Sequence, residues 1–192
     1  AYSSSELVEE DDYFYRNIKQ ARVLEASSDG VNECVYWNTI PVYPHGEEEP
    51  PFKEGSLFER WDCRKDLMES GDYWNTYARG FDKSAGAYRE ALWLHPPDEG
   101  EIMVEYEDVP LSGILQGFYG VNDLAYELMP ESEINFTISI DGEAVYSTLH
   151  GKKFGWRSFN ITSSRLNGVK DVSFKVRADD NRWAHFYYNA YI

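Results

Sequence analysis

The sequence predicts an all-β fold, an antiparallel two-sheet sandwich, on three observations. Beyond residue 90, apolar side chains recur with period two: Ile102, Val104 and Tyr106; Ile134, Phe136, Ile138 and Ile140; Val172, Phe174 and Val176. That is the pattern of strands with one face buried. Asp141 and Gly142 stand between Ile140 and the segment Ala144 to Tyr146, a hairpin signal because both residue types tolerate positive φ. Seven or eight short strands with turn residues between them, and no helices alternating with them, argue against a parallel α/β sheet.

Taken in order, residues 3–22 read as a helix: Leu7, Val8, Phe14, Tyr15 and Ile18 recur at three- and four-residue spacing. Ser3 and Glu6 offer a capping box, and Glu9, Glu10, Asp11 and Asp12 carry the sign the helix dipole favours at that end. A strand is expected over 21–26, a turn over 27–30, and a further apolar segment from Cys34 to Trp37. The prolines and charges of 43–51 deny that stretch a regular element and make it a surface loop. A second helix is expected over 56–70, from the Ser56 and Glu59 capping box, the Leu57, Phe58, Trp61, Leu67 and Met68 stripe, and Gly71 as a stop. The segment from Trp61 to Cys63 fits a strand end equally well. Further strands are expected over 91–94, 114–119, 157–161 and 185–190. The simplest division is an N-terminal helical extension, 1–20, and one β-sandwich domain, 21–192.

With 192 residues, 42% hydrophobic, the chain is long enough to bury a sizeable core. Its 34 acidic and 18 basic residues give a net charge of −16, a field that repels phosphate backbones, so nucleic acid is excluded as a partner. No window approaches the roughly 18 to 20 apolar residues that span a bilayer. The 6 Trp, 15 Tyr and 10 Phe are more rings than a core of this size needs, so some are expected to face a ligand.

Cys34 and Cys63, 29 positions apart, match neither a redox nor a zinc spacing. In an extracellular chain they would pair; otherwise they are two buried thiols. The sequons at Asn135 and Asn160 place an acceptor asparagine on the polar side of a predicted strand. The histidines His45, His95, His150 and His185 are scattered, with no metalloprotease spacing. The glycines between Gly113 and Gly120 lack the dinucleotide spacing, and neither a nucleophile elbow nor a phosphate-binding loop is present. Asp179 and Asp180 supply hard oxygen ligands of the kind calcium takes, so Ca2+ is a possible ligand, with a solvated loop as the alternative.

From Ala91 onward, Gly117 to Gly120, Ile138 to Glu143, Gly155 with Trp156, Val172 to Val176 and Ala184 to Phe186 together resemble galactose-binding-like jelly-roll domains. The resemblance is to the carbohydrate-binding modules found with glycosidases. It implies an antiparallel two-sheet jelly-roll sandwich that binds a glycan or cell-surface polymer without catalysis, outside the cytoplasm, as a domain of a larger protein. Sugar rings stack their C–H faces on aromatic rings, and their hydroxyls need planar donors and acceptors. Two clusters mix these groups: Asp72, Tyr73, Trp74, Asn75, Tyr77 and Arg79, expected in an exposed loop, and Asn181, Arg182, Trp183 and His185. Trp93 and Trp156 read as core residues. A protein-interaction module of a cell-surface assembly would use the same rings, and a glycoside hydrolase would need paired carboxylates in a cleft.

Overall fold

The computed structural model describes residues 13–28, 30–41, 57–63, 76–97, 100–182 and 184–192. In chain order these form α1 (Tyr13–Arg16), a 3-10 turn (Ile18–Gln20), β1 (Arg22–Ser27), β2 (Gly30–Glu33), β3 (Tyr36–Pro41) and β4 (Leu57–Asp62). There follow β5 (Thr76–Ser84), β6 (Ala87–Leu94), β7 (Glu101–Val121), α2 (Asp123–Leu128), β8 (Ile134–Ile140), β9 (Glu143–His150), β10 (Arg157–Ala178) and β11 (Phe186–Tyr191).

Every pairing is antiparallel, and the strands form one hydrogen-bonded sheet in the order β3-β4-β5-β6-β11-β7-β10-β8-β9, with β1 against β7 and β2 against β1. The all-β class is as expected, but the two sheets are halves of one. The reason lies in β7 and β10, of 21 and 22 residues, which pair with each other from Glu101 to Tyr119. The start of β7 pairs with β1 and its end with β11. Between them the ladder slips at Thr162/Asn167 and Lys170/Val172, where Asp108 (φ 56°), Gly113 (φ 100°) and Gly168 (φ 85°) leave extended backbone. A bulge adds twist and bend, so the sheet folds over on itself into two facing layers.

The core lies between those layers. Ile134, Phe136, Ile138, Ile140, Val172, Phe174 and Val176 all point inward and are buried, as the period-two pattern requires. Across the gap, Phe174 meets Tyr188 at 4.6 Å between ring centroids and Phe136 meets Phe186 at 5.0 Å. Asp141 and Gly142 make the expected β8–β9 hairpin, with φ of 49° and 81°.

Two helix expectations are corrected. α1 ends at Arg16, where the Asn17 backbone amide and side chain both donate to the Tyr13 carbonyl, at 3.0 and 2.8 Å, and the chain passes into the 3-10 turn. Phe14 and Ile18 then bury completely, Phe14 edge-on to Tyr106 and Phe174 at 5.0 and 4.9 Å. Residues 1–12 lie outside the described residues. In place of a helix from residue 56, Leu57–Asp62 is a strand, paired with β3 so that Trp37 and Trp61 oppose each other with rings 5.1 Å apart. The spacing of Leu57, Phe58 and Trp61 suits either element; pairing with β3 and the Cys34–Cys63 disulfide hold it extended. Residues 64–70 and the 43–51 loop lie outside the described residues. The short α2 was not expected. Asn122 caps it by accepting from the Ala125 amide at 2.7 Å.

Candidate functional site

Successive strand residues face opposite ways, so the inward rows fix the outward ones. On β6, β7 and β11 the inward row is Leu92, Leu94, Leu115, Tyr119, Phe186 and Tyr188. Their neighbours Ala91, Trp93, Phe118 and Tyr187 form a second, smaller cluster on the outer face, with Trp156 and Tyr191 packed against it. Phe118 lies 5.1 Å from Trp156 and 6.2 Å from Tyr191, and the Arg89 guanidinium sits 4.5 Å over the Phe118 ring.

An open cleft of about 480 Å3 runs across this face. Its rings are Phe118, Trp156 and Tyr191; its polar groups are Arg89, Arg157, Gln116, Asn160 and Ser158. Local backbone sets the rings. Gly155 turns with φ 89°, letting Trp156 donate its indole N–H to the Ala87 carbonyl at 2.8 Å. Gly117 lets β7 approach β11, since a Cβ there would lie 2.1 Å from the Asn189 carbonyl oxygen.

At the opposite end of the same face, His185 stacks on Trp93 with ring centroids 5.2 Å apart and planes within 2°. His95 meets His185 edge-on at 4.9 Å. Burial, then the neighbouring His185, pushes the His95 pKa down to about 3, and burial pushes His185 down to about 4, so both are neutral at pH 7. The pair packs the end of the ring row rather than carrying charge.

The expected clusters are distributed as follows. Asp72, Tyr73, Trp74, Asn75 and Trp183 lie outside the described residues. Tyr77 is corrected from an exposed loop to strand β5, where its ring is fully buried and its hydroxyl is 2.6 Å from that of Tyr106. Arg79 stands on the same strand opposite Leu92. Asn181 donates from its side chain to the Pro96 carbonyl at 3.5 Å. Of the expected calcium pair, Asp179 and Asp180, the second is engaged by a side chain of the same loop. Arg182 folds back onto Asp180, its Nη2 2.6 Å from one carboxylate oxygen and its Nε 3.0 Å from the other, and holds the carboxyl below its usual range. Among the described residues no group of three acidic, histidine or cysteine side chains is placed to hold a metal. Cys34 and Cys63 are bonded, joining the start of β3 to the end of β4. Asn135 accepts from Thr137 at 3.0 Å, and Asn160 lines the cleft.

Sequence reasoning missed Arg89, Gln116, Phe118, Arg157 and Tyr191. A signal existed: Phe118 with Tyr119, and Tyr187 with Tyr188, are consecutive rings within strands, so each pair must put one ring on the outer face.

No protein-family model matches the sequence, and a comparison with curated proteins finds no match. Solved structures similar to this chain include CBM51-2 in complex with GlcNAc, with the INT domains, from Clostridium perfringens ZmpB. Identity there is 13% and the TM-score 0.47, covering 89% of this chain and 36% of that one, so the chain spans about a third of its length. Another is CBM51 from Clostridium perfringens GH95 with methyl-galactose, at 13% identity and TM-score 0.38, covering 59% and 79% of the two chains. The tandem CBM51 modules of Sp3GH98, a family 98 glycoside hydrolase from Streptococcus pneumoniae, match at 11% identity and TM-score 0.41, covering 90% and 48%.

Proposed function

We propose that the chain is a non-catalytic glycan-recognition module that works outside the cytoplasm as a domain of a larger protein, and that the outer-face cleft holds the sugar. The observation that carries this reading is the cleft itself, where Phe118, Trp156 and Tyr191 stand among Arg89, Gln116, Asn160 and Arg157. Flat rings suit the C–H faces of a pyranose, and planar side chains suit its hydroxyls. Among the described residues lining the cleft there is no carboxylate, whereas glycoside hydrolysis uses two. The Cys34–Cys63 disulfide supports an oxidising compartment. Trp74 and its neighbours Asp72, Tyr73 and Asn75 remain a second proposed contact surface.

A glycan array on the whole chain, run with calcium and with chelator, tests the reading. Tyr191→Ala should weaken binding about three- to tenfold, the worth of one stacked ring, with the thermal midpoint little changed. Loss with Trp74→Ala but not Tyr191→Ala would move the site to residues 72–75. A folded chain that binds no glycan would favour a protein-interaction module.

A further inference from the structure

We infer that the cleft selects acidic saccharides, carboxylated or sulfated, over neutral ones; this rests on the glycan-binding reading above. The chain carries a net charge of −16, yet among the described residues the charged ones lining the cleft are Arg89 and Arg157. Outside the cleft three arginines are paired with carboxylates: Arg22 with Glu33 and Glu105, Arg165 with Glu143, and Arg182 with Asp180. Among the side chains the structure describes, Arg157 has no carboxylate within ion-pair distance. In the strand register Asp82 stands opposite Arg89.

The donor and acceptor balance points the same way. A neutral sugar hydroxyl both donates and accepts, so sites for neutral sugars supply acceptors. A guanidinium has five N–H donors and no acceptor, and a carboxylate or sulfate is an acceptor only. The two arginines therefore match an anionic substituent, while the amide side chains of Gln116 and Asn160, which both donate and accept, suit the hydroxyls of the same sugar ring. Arg89 is preset for the task. Stacked 4.5 Å over Phe118, its planar fork is held by the ring, so less side-chain freedom is lost when it binds.

Calorimetric titration of the whole chain should compare a galacturonate hexamer, a heparin hexasaccharide and a neutral galactose hexamer. At about 0.15 M salt the screening length is about 8 Å, so the repulsive field of the rest of the chain is damped. An acidic hexamer should bind at least tenfold more tightly than the neutral one. Arg89→Gln and Arg157→Gln should each remove about tenfold, as loss of a charge-assisted hydrogen bond does. Arg165→Gln, outside the cleft, should leave affinity unchanged. Preference for galacturonate identifies carboxylate as the feature read, and preference for heparin identifies sulfate. Equal affinity for acidic and neutral hexamers, or an acidic preference that survives both cleft substitutions, overturns the inference while the glycan reading stands. If none of the three, and no glycan on the array, binds the folded chain, the glycan reading itself fails.

Discussion

The hydroxyls of Tyr77 and Tyr106 lie 2.6 Å apart in the core, and Tyr106 donates onward to the Phe14 carbonyl at 3.0 Å. Tyr188 reaches the same Tyr77 oxygen at 3.4 Å. Burial, then the proximity of Tyr106, holds the Tyr188 pKa well above the ordinary phenol value, so that hydroxyl stays neutral. The chain of hydroxyls ties β5, β7, β11 and α1 together where no backbone ladder joins all four.

Removing one hydroxyl from that chain should therefore cost stability and not binding. Tyr77→Phe is expected to lower unfolding free energy by about 1 kcal/mol, and Tyr77→Ala by about 3–5 kcal/mol through the cavity left. Urea denaturation measures both. Loss of glycan affinity in Tyr77→Phe with unchanged stability would return Tyr77 to the binding surface.

The disulfide closes a 29-residue separation and staples β3 to β4. Reduction should cost about 3–4 kcal/mol on the loop-entropy account. Thiol titration of the unfolded, unreduced chain should find none; two thiols per chain would contradict the bridge.

Two buried histidines, His95 and His150, and the half-buried His185 set an acid limit. His150, against Tyr119 and Phe186, has its pKa pushed down to about 4 by burial and by the charges of Lys153 and Arg157. His185 and His95 fall to about 4 and about 3. All three titrate near 6.5 once unfolded, so the unfolded chain binds more protons between pH 6.5 and 4, and stability falls as pH drops through that window. His150 alone contributes on the order of 3 kcal/mol between the two limits. Urea midpoints should be level from pH 8 to 7 and decline from pH 6.5 to 5. In His150→Gln the decline should be shallower. A midpoint that rises on acidification would refute the burial of these neutral rings.

Asn160 belongs to a sequon and lines the cleft, so a glycan attached there would occupy the binding surface. Chain secreted from a glycosylating host and occupied at Asn160 is expected to bind no saccharide. Thr162→Ala, which removes the sequon and keeps Asn160, should bind normally. Full affinity in the glycosylated form would place the site elsewhere.

Alanine at Gly117 would put a methyl carbon 2.1 Å from the Asn189 carbonyl oxygen and 2.7 Å from Phe159 Cζ. The first contact is backbone, which cannot swing aside, so β7 and β11 must separate. A loss of about 1–3 kcal/mol is expected from the overpacking, together with weaker glycan binding, since Phe118 moves with the strand. A thermal midpoint equal to the parent's would show that the sheet yields there freely.

Local pattern was enough for β8, the β8–β9 hairpin and the C-terminal part of β10. Ile134 to Ile140 and Val172 to Val176 alternate cleanly because one face meets the core and the other water. Pattern failed at Leu57–Asp62, where three apolar residues fit a helix and a strand equally and long-range pairing with Tyr36–Pro41 decides. It failed again at Tyr77, whose polar neighbours imply exposure while its partners Tyr106 and Tyr188 lie 29 and 111 positions away.

By itself the sequence determined the β class, the inward rows of the later strands, the tight turn at Asp141 and Gly142, and an excess of rings over what a core requires. Only the tertiary structure decided which rings face outward. Phe118, Trp156 and Tyr191 come from three separate segments and meet Arg89 from a fourth. That meeting depends on strand order and on the bend of β7 and β10, which arise from pairings between distant parts of the chain that no local periodicity encodes.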